Sequence, residues 1–389
     1  MAGGVGWRMT VGLGLTQTVG YGTLYYTLGV TAPALSADLG VPVERLFLWF
    51  SVSLFIGGLA APRFGRWLDR AGARRTMTLG TLGASAALAG MSFAQGEVSY
   101  ALAVLAAEVV ATLVLYDAAF AAVVQSAGRE GRRTITHITL IAGFASTVFW
   151  PLTAWLLEFV AWRDIYLLYA GLHLAICLPV HALLFPRGRP KVAHAAEPGA
   201  AGETVAPAPR VFWLLALAFA ATAYVVGAIP AQMVPMLRSG GFGDAALWLG
   251  SLMGPAQVAI RVVEATVMQR FTPVLVAVVA ASLPPLAVTI LLLGAPHVGA
   301  GIAFAIVFGA GSGLNSIVRG TLPLALFGPA GYGALLGRLA AVSRSTAAFA
   351  PFAFAALTER LGLAAALLSG IAAGLAGLFA LLVLRRHRR

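Results

Sequence analysis

The sequence predicts an all-α membrane protein in which twelve transmembrane helices form two pseudo-symmetric bundles of six helices each. First, 60% of the 389 residues are hydrophobic and only 10% are charged, with a mean hydropathy of +0.89. A water-soluble fold cannot bury that much apolar surface. Second, apolar runs of roughly 20 residues, the length that crosses a hydrocarbon core, recur along the chain. Third, a long polar stretch divides these runs evenly.

The apolar runs are separated by charged or turn-forming residues. Lipid offers the backbone no hydrogen-bond partner, and the runs are too long for barrel strands, so each is predicted to be a helix. Strand content is expected to be near zero. The first run is interpreted as a retained helix, because no small-residue cleavage site follows it. The predicted spans are 9–34, 44–64, 76–95, 98–126, 134–160, 164–185, 211–237, 244–269, 273–294, 298–320, 333–357 and 362–384.

The longest polar stretch, 186–210, is rich in Pro, Ala, Gly and Glu and has no apolar periodicity. Such a composition is typical of a flexible linker. It separates a predicted N-terminal bundle at 1–185 from a predicted C-terminal bundle at 211–389. Equal numbers of spans on each side indicate an internal repeat about an axis along the membrane normal.

Basic residues predict the orientation of the chain. With the N-terminus inside, 18 of the 26 Lys and Arg residues fall in cytoplasmic segments, as the positive-inside rule requires. We therefore expect a multi-pass protein of the cell inner (plasma) membrane with both termini cytoplasmic. The lipid surface accounts for the net charge of +12. No nucleic-acid partner is expected, because the basic residues lie in short loops rather than on one soluble face.

The sequence lacks the residue patterns of redox, metal and hydrolytic sites. Cys177 is the only cysteine, which excludes an internal disulfide, a Cys-based zinc site and a C-x-x-C pair. The chain has no H-E-x-x-H motif, no paired histidine ligands and no evident serine–histidine pair within the spans. We expect no metal, no cofactor and no enzymatic activity.

The loop between the second and third predicted spans holds a dense cluster of charge. It runs from Gly65 to Arg75 and reads G-x-x-x-D-R-x-G-x-R-R. This pattern resembles the cytoplasmic loop signature of the major facilitator superfamily of secondary transporters, with Trp67 and Leu68 as small departures. The resemblance implies alternating access of two six-helix halves to a small-molecule substrate. It also implies a gating role for Gly65, Asp69, Arg70, Gly72, Arg74 and Arg75, which would hold cytoplasmic helix ends together.

Two arginines lie deep within predicted spans, Arg261 in span 8 and Arg344 in span 11. A charge at mid-bilayer depth costs at least ~2.5–3.5 kcal/mol unless it faces protein or water. Two guanidinium groups suit bidentate binding of a carboxylate. The alternative is neutralisation within the protein, for Arg261 by Glu264 one turn away.

The two deep arginines support a narrower resemblance. The placement of one cation in span 8 and another in span 11 is similar to that in the oxalate/formate antiporter and monocarboxylate transporter group. In those proteins the span 8 arginine, and in the antiporter also a span 11 basic residue, engages the substrate carboxylate. Gln257 stands where the animal monocarboxylate transporters typically carry an acidic residue, so the same proton route is not implied.

Three carboxylates are candidates for proton coupling, Asp117, Glu264 and Glu108, because a carboxylate in a low-dielectric site can exchange a proton at working pH. Asp117 lies well inside predicted span 4, one of the helices that line the cavity in the resembled superfamily. The alternative role for Asp117 is a structural ion pair with loop arginines. Glu108, two and a half turns earlier, is predicted to point to the opposite face and to serve in helix packing.

Polar side chains at helical spacing predict the cavity walls. Gln17, Tyr21 and Tyr25 stand at i, i+4 and i+8 and so are predicted to share one face of span 1. Tyr224 in span 7 and Asn315 in span 10 are predicted to complete the substrate-binding surface. The alternative is that these residues pack helices together or lie at the membrane interface.

The combined prediction is a monomeric secondary active transporter. The favoured solute is a mono- or dicarboxylate, moved by alternating access coupled to protons or to exchange with a counter-substrate. A proton-coupled efflux pump for drugs or other amphipathic compounds, uptake of a neutral metabolite or vitamin, and a transport-inactive sensor remain open. The span 5 motif G-x-x-x-G-P-x-x-G-G of many drug/proton antiporters is absent around Gly143.

Overall fold

The computed structural model describes residues 6–185 and 209–386, and all regular elements in these ranges are helical. The predicted all-α fold is thereby confirmed. Within the described ranges, nine helical stretches are long and apolar enough to cross a membrane, and one of them, Glu97–Leu156, is 60 residues long. That length covers two predicted spans. Together with the helices over predicted spans 1 and 3, these stretches are consistent with twelve membrane helices.

The first six predicted spans correspond to ten α-helices. Several spans are interrupted, so one span often contains two helices. The helices are α1 (Trp7–Tyr21), α2 (Thr27–Leu39), α3 (Val43–Ala71), α4 (Ala73–Ser92), α5 (Glu97–Ala111), α6 (Tyr116–Ala127), α7 (Arg132–Ala142), α8 (Ala145–Leu156), α9 (Trp162–Leu172) and α10 (Leu178–Leu183). Two π-helical segments, Gly22–Tyr26 and His173–Cys177, join α1 to α2 and α9 to α10.

The last six predicted spans are formed by eight α-helices, of which the last four are long and uninterrupted. They are α11 (Pro209–Ala231), α12 (Met233–Leu237), α13 (Ala245–Ser251), α14 (Met253–Thr266), α15 (Pro273–Gly294), α16 (Val298–Phe327), α17 (Tyr332–Leu361) and α18 (Leu363–Arg386). Span 8 is divided at Leu252, three residues before Pro255, whose ring nitrogen cannot donate to the carbonyl of Ser251.

The chain divides into two compact units. The first unit contains the described residues up to 202 and, in addition, Phe327–Ala341, the loop and first turns that begin α17. The second unit contains the described residues of 203–326 together with Val342–Arg389. Most of the predicted linker at 186–210 lies outside the described residues.

Each unit has its own packed core. Tyr100, Ile165 and Tyr169 are fully buried in the first unit, as are Phe304 and Phe308 in the second. Large apolar side chains are nevertheless exposed along many helices, as Val98 (75%) and Leu293 (80%) illustrate. Exposed apolar surface on this scale suits contact with lipid rather than water.

Candidate functional site

The carboxylate of Asp69 lies at the N-terminal end of α17, within the first unit. Its Oδ1 accepts a hydrogen bond from the backbone N–H of Gly333 at 3.0 Å, and its Oδ2 accepts one from Ala334 at 2.7 Å. The first N–H groups of a helix have no partner inside the helix, and the helix dipole favours negative charge there. Asp69, the acidic residue of the charged loop, therefore caps α17.

Glycines permit this approach between α3 and α17. A Cβ atom at Gly65 would collide with the carbonyl oxygen of Gly333, and one at Gly337 would collide with that of Ala61. The two backbones thus cross at a distance that excludes any side chain at these positions. Gly65, the first residue of the charged loop pattern, is required by packing as well as by the pattern.

Gln125 holds the turn that follows Asp69. Its Nε2 donates to the carbonyl of Leu68 at 3.1 Å, and its Oε1 accepts from the N–H of Ala73 at 2.9 Å. Between these partners lies Gly72, whose φ of +83° is in the left-handed region that favours glycine. Sequence reasoning missed Gln125, although an amide near the end of an apolar span beside this loop was an available signal. The segment predicted as a loop is helical on both sides of Gly72: Arg70 lies in α3 and is exposed, whereas Arg74 and Arg75 lie in α4, half-buried and exposed respectively.

Arg261 is buried in the second unit with 6% of its surface exposed. Its Nε donates to Oγ of Ser316 on α16 at 3.3 Å, and Ser316 in turn donates to the carbonyl of Gly313 at 2.7 Å. A Cβ at Gly313 would lie 2.7 Å from the carbonyl oxygen of Gln257. This close crossing of α14 and α16 brings Ser316 to the arginine.

Two other charged candidates lie in the same unit as Arg261. Glu264, one helical turn along α14, is completely buried. Arg344 is half-buried on α17, in the part of that helix that belongs to the second unit.

Tyr224 and Asn315, the predicted wall residues of the second unit, are both half-buried. The hydroxyl of Tyr224 lies 2.8 Å from Oγ of Ser369 on α18, so this tyrosine links two helices. Asn315 lines a small cavity with Phe219 and Thr222 of α11.

Gln17, Tyr21 and Tyr25, which were predicted to share one face of span 1, differ in burial and in their contacts. Gln17 is fully buried, and its Nε2 donates to the carbonyl of Val114 at 2.7 Å. Val114 lies in the interruption between α5 and α6, where backbone carbonyls lack helical partners. Tyr21 is half-buried and Tyr25 is 41% exposed. The π-helical segment that begins at Gly22 alters the helical register between these tyrosines.

The tyrosines of the first span form an aromatic cluster with three other helices. The ring of Tyr21 lies 4.6 Å from that of Tyr116, and Tyr25 lies 5.6 Å from Phe50, measured between ring centroids. Tyr26 and Trp150 are also 5.6 Å apart. We refer to these six residues, Tyr21, Tyr25, Tyr26, Phe50, Tyr116 and Trp150, as the tyrosine cluster. The partners on α3, α6 and α8 were not predicted, because contacts between helices leave no periodic signal in the sequence.

Asp117 and Glu108 occupy different settings in the first unit. The chain leaves the helix after Ala111, so Asp117 lies in the first turn of α6, where the helix dipole favours its charge. Glu108 is 3% exposed, and a Cβ at Gly57 would lie 2.9 Å from its carbonyl oxygen.

Because span 4 is interrupted, the spacing of Glu108 and Asp117 in the sequence no longer indicates whether the two side chains lie on opposite faces. The predicted opposite orientation assumed one continuous helix, and the segment between Ala111 and Tyr116 breaks it. Elsewhere in the described ranges, His, Cys, Asp and Glu side chains form no group of three suited to a metal ion.

A known protein family and several solved structures share this helical fold. A family model of the Major Facilitator Superfamily matches residues 15–295. No curated protein sequence shows a significant match.

Solved structures share the fold over nearly the whole chain. One is the human organic anion transporter MFSD10 (TETRAN), at 16% identity and a TM-score of 0.74, covering 96% of this chain and 98% of that one. Another is the proton:xylose symporter XylE bound to 6-bromo-6-deoxy-D-glucose, at 12% identity and a TM-score of 0.78, with coverage of 98% and 95%. A third is the transporter FucP in the outward conformation, at 11% identity and a TM-score of 0.68, with coverage of 95% and 97%. At these identities the likeness is one of fold.

Proposed function

The chain belongs to the major facilitator superfamily, whose members are membrane transporters rather than enzymes, and from this premise we propose that it is a secondary active transporter of a small organic anion. The favoured solutes are mono- and dicarboxylates. The observation that carries the proposal is the buried guanidinium of Arg261 on α14. The structural relatives include an organic anion transporter and a sugar symporter, so likeness of fold does not choose between solutes.

The hydrogen bonding of Arg261 supports an anion site. Within the described part of the chain, its side chain makes one hydrogen bond, from Nε to Ser316. A guanidinium has five N–H donors, and the terminal nitrogens form the fork that binds a carboxylate through two parallel bonds. Ser316 therefore orients the guanidinium group through Nε, which a carboxylate bound by the two terminal nitrogens does not use. A buried cation arranged in this way gains most from an anionic ligand.

Arg344 is the second cation that we assign to this site. It lies on α17 in the same unit as Arg261 and is half-buried. The placement of one cation in span 8 and one in span 11 supports the narrower proposal of a transporter related to the oxalate/formate antiporter and monocarboxylate transporter group.

Coupling is assigned to protons or to exchange with a second solute. Glu264 is completely buried one turn from Arg261, which makes it a proton-coupling candidate in the second unit. Asp117 at the start of α6 is the candidate in the first unit. Protonation of either carboxylate removes one charge from its unit during a transport cycle.

The cap that Asp69 places on α17 is our candidate gate. Its two hydrogen bonds are charge-assisted and hold the first turn of α17 against the end of α3. We propose that they break and form again as the protein alternates between its two states. In this proposal the protein is a monomer of the inner (plasma) membrane with both termini cytoplasmic.

A thermal-shift screen of the purified protein tests the solute class. The screen uses carboxylates, amino acids, vitamins and lipophilic cations, and its hits are followed in proteoliposomes with and without a pH gradient. We expect carboxylates to raise the melting temperature of the wild type but not of Arg261→Ala. Arg270→Ala, which removes an exposed arginine from the same region, is the matched control. Stabilisation by lipophilic cations alone would overturn the anion proposal.

Cation efflux is the second candidate, because the tyrosine cluster provides aromatic faces and Asp117 follows directly after Tyr116. Aromatic rings and a carboxylate together suit an amphipathic cation. This function predicts transport that depends on Asp117 and tolerates Arg261→Ala. Uptake of a neutral metabolite or vitamin would tolerate both changes, and a transport-inactive sensor would bind a solute without flux.

A further inference from the structure

Two π-helical segments of the first unit are joined by a buried hydrogen bond. Thr23 belongs to the segment Gly22–Tyr26, and His173 begins the segment His173–Cys177. Oγ1 of Thr23 lies 2.9 Å from Nε2 of His173, and both residues are only 1% exposed. Such short π-helical insertions are frequent at functional sites in proteins. Here the bond links the only two π-helical segments in the described part of the first unit.

The first π-helical segment is packed tightly at one point, because a Cβ at Gly22 would collide with the ring of Phe149, and it borders a small cavity at another. On one side, Thr23 lines a small cavity with Leu24 and Leu28. Thr27 donates from Oγ1 to the carbonyl of Gly22 at 2.9 Å, which satisfies one backbone group in the altered register. Oγ1 of Thr23 donates to the carbonyl of Val19 at 2.8 Å and therefore accepts from Nε2 of His173, so this bond ties the first π-helical segment to the second.

The same segment carries two members of the tyrosine cluster. Tyr25 and Tyr26 are its last residues, and their ring centroids lie 5.4 Å apart. Tyr25 continues to Phe50 and Tyr26 to Trp150, so the direction of both rings depends on the backbone between Gly22 and Tyr26. A change of register of one residue would turn each ring by about 100° around the helix axis.

His181 offers an internal comparison in the same span. It is also 1% exposed, and its Nδ1 lies 2.7 Å from Oγ1 of Thr81 while its Nε2 lies 3.1 Å from Oγ1 of Thr16. Thr16 belongs to regular α-helix and carries no ring of the tyrosine cluster. The two histidines thus match in burial and in a bond from Nε2 to a threonine of the first span, although His181 also bonds Thr81, and they differ in what those first-span threonines support.

We propose that His173 is a positioning residue that fixes the Gly22–Tyr26 segment through Thr23 and thereby sets the directions of the Tyr25 and Tyr26 rings. Its consequence for solute recognition rests on the proposed transport function and on the predicted place of Tyr25 on the substrate-binding surface. His173 itself contacts no solute in this proposal. The effect on the rings is independent of which solute is carried.

Fluorine NMR tests the positioning directly. The protein is labelled with 3-fluorotyrosine, which reports on all nine tyrosines, and the signals of Tyr25 and Tyr26 are assigned with Tyr25→Phe and Tyr26→Phe. We expect His173→Leu and Thr23→Val to move both signals by more than a linewidth. His181→Leu should leave them in place, and His173→Gln, which retains a donor near the Nε2 position, should restore them. If His173→Leu does not fold, the Tyr25 and Tyr26 signals of Thr23→Val decide whether the bond positions the rings.

Three results would overturn the proposal: unmoved Tyr25 and Tyr26 signals in both variants, equal movement in His181→Leu, or no recovery in His173→Gln. A second arm measures binding of benzoate and of oxalate by thermal shift. We expect about fivefold weaker binding in His173→Leu, the factor for loss of one hydrogen bond, and at least that loss in Thr23→Val, which also lacks the bond to the carbonyl of Val19. If neither acid binds the wild type, the proposed solute class fails while the NMR result still decides the positioning role.

Discussion

At the scale of single residues, the second unit presents a buried arginine whose orientation is set by one neighbour. Ser316 accepts from Nε of Arg261 and donates onward to Gly313, so the guanidinium is fixed in direction while its fork is available. Two contributions to anion binding can be measured separately: that of the positive charge of Arg261 and that of its orientation. The contribution of the charge is tested with Arg261→Ala, and that of the orientation with serine variants on α16.

Ser316→Ala is expected to weaken carboxylate binding about fivefold, because loss of one orienting hydrogen bond costs ~1 kcal/mol. Ser312→Ala is the matched control. Ser312 lies one turn earlier on α16, and its buried Oγ has no hydrogen-bond partner among the residues that the structure describes. Titration of the purified variants with oxalate measures the effect. Equal losses of affinity in the two variants would contradict an orienting role for Ser316.

At the scale of helices, α3 and α17 meet at a backbone crossing that is capped by Asp69 and anchored by Gln125. The cap uses two backbone N–H groups at the start of α17, and the anchor holds the turn at Gly72. Because the proposed gate requires this cap to break when the start of α17 moves, we expect it to influence the rate of the cycle more than the affinity for solute.

Asp69→Asn is expected to lower the maximal transport rate about tenfold and to leave the KM within about twofold, since charge-assisted bonds contribute ~1.5–3 kcal/mol. Initial rates of uptake into proteoliposomes over a range of solute concentrations separate these two quantities. Asp69→Ala should show a larger loss of rate, because alanine accepts neither hydrogen bond. A normal rate with much weaker binding would show that Asp69 serves recognition rather than gating.

Gln125→Ala is expected to lower the melting temperature of the detergent-solubilised protein by several degrees. The substitution leaves the carbonyl of Leu68 and the N–H of Ala73 without their shared partner, a loss of ~1–3 kcal/mol. Ser126→Ala is the control, since its Oγ bonds only within its own helix to Ala122. An unchanged melting temperature for Gln125→Ala would show that the turn at Gly72 holds without this anchor.

Helical elements followed from hydropathy, but their interruptions did not. Long apolar runs predicted the spans because the need to satisfy backbone groups in lipid allows few alternatives. The breaks at 112–115 and at Gly143–Phe144 depend on contacts with other helices, such as the bond from Gln17 to Val114. Gln17 was predicted for the cavity wall on helical spacing alone, which could not foresee its bond to Val114, and its role in solute binding stays a prediction.

At the scale of the whole molecule, a loop motif and a few deep charges carried most of the functional prediction. The motif predicted the superfamily, which the family model confirms. The contact of Asp69 with α17 could not be predicted, because its partners are backbone N–H groups of Gly333 and Ala334, more than 260 positions away, and backbone groups leave no mark in the sequence. The solute class rests on Arg261 and Arg344, whose roles stay predictions until transport is measured.

Uptake of radiolabelled oxalate and benzoate into proteoliposomes tests the central claim most directly. Wild-type protein, Arg261→Ala and the control Arg270→Ala are reconstituted at equal density and compared with and without a pH gradient. We expect uptake by the wild type and the control, and at least tenfold less by Arg261→Ala, because removing one side of a bidentate ion pair costs ~1.5–3 kcal/mol. Equal uptake by Arg261→Ala and the wild type would contradict the assignment of Arg261 as the anion-binding residue.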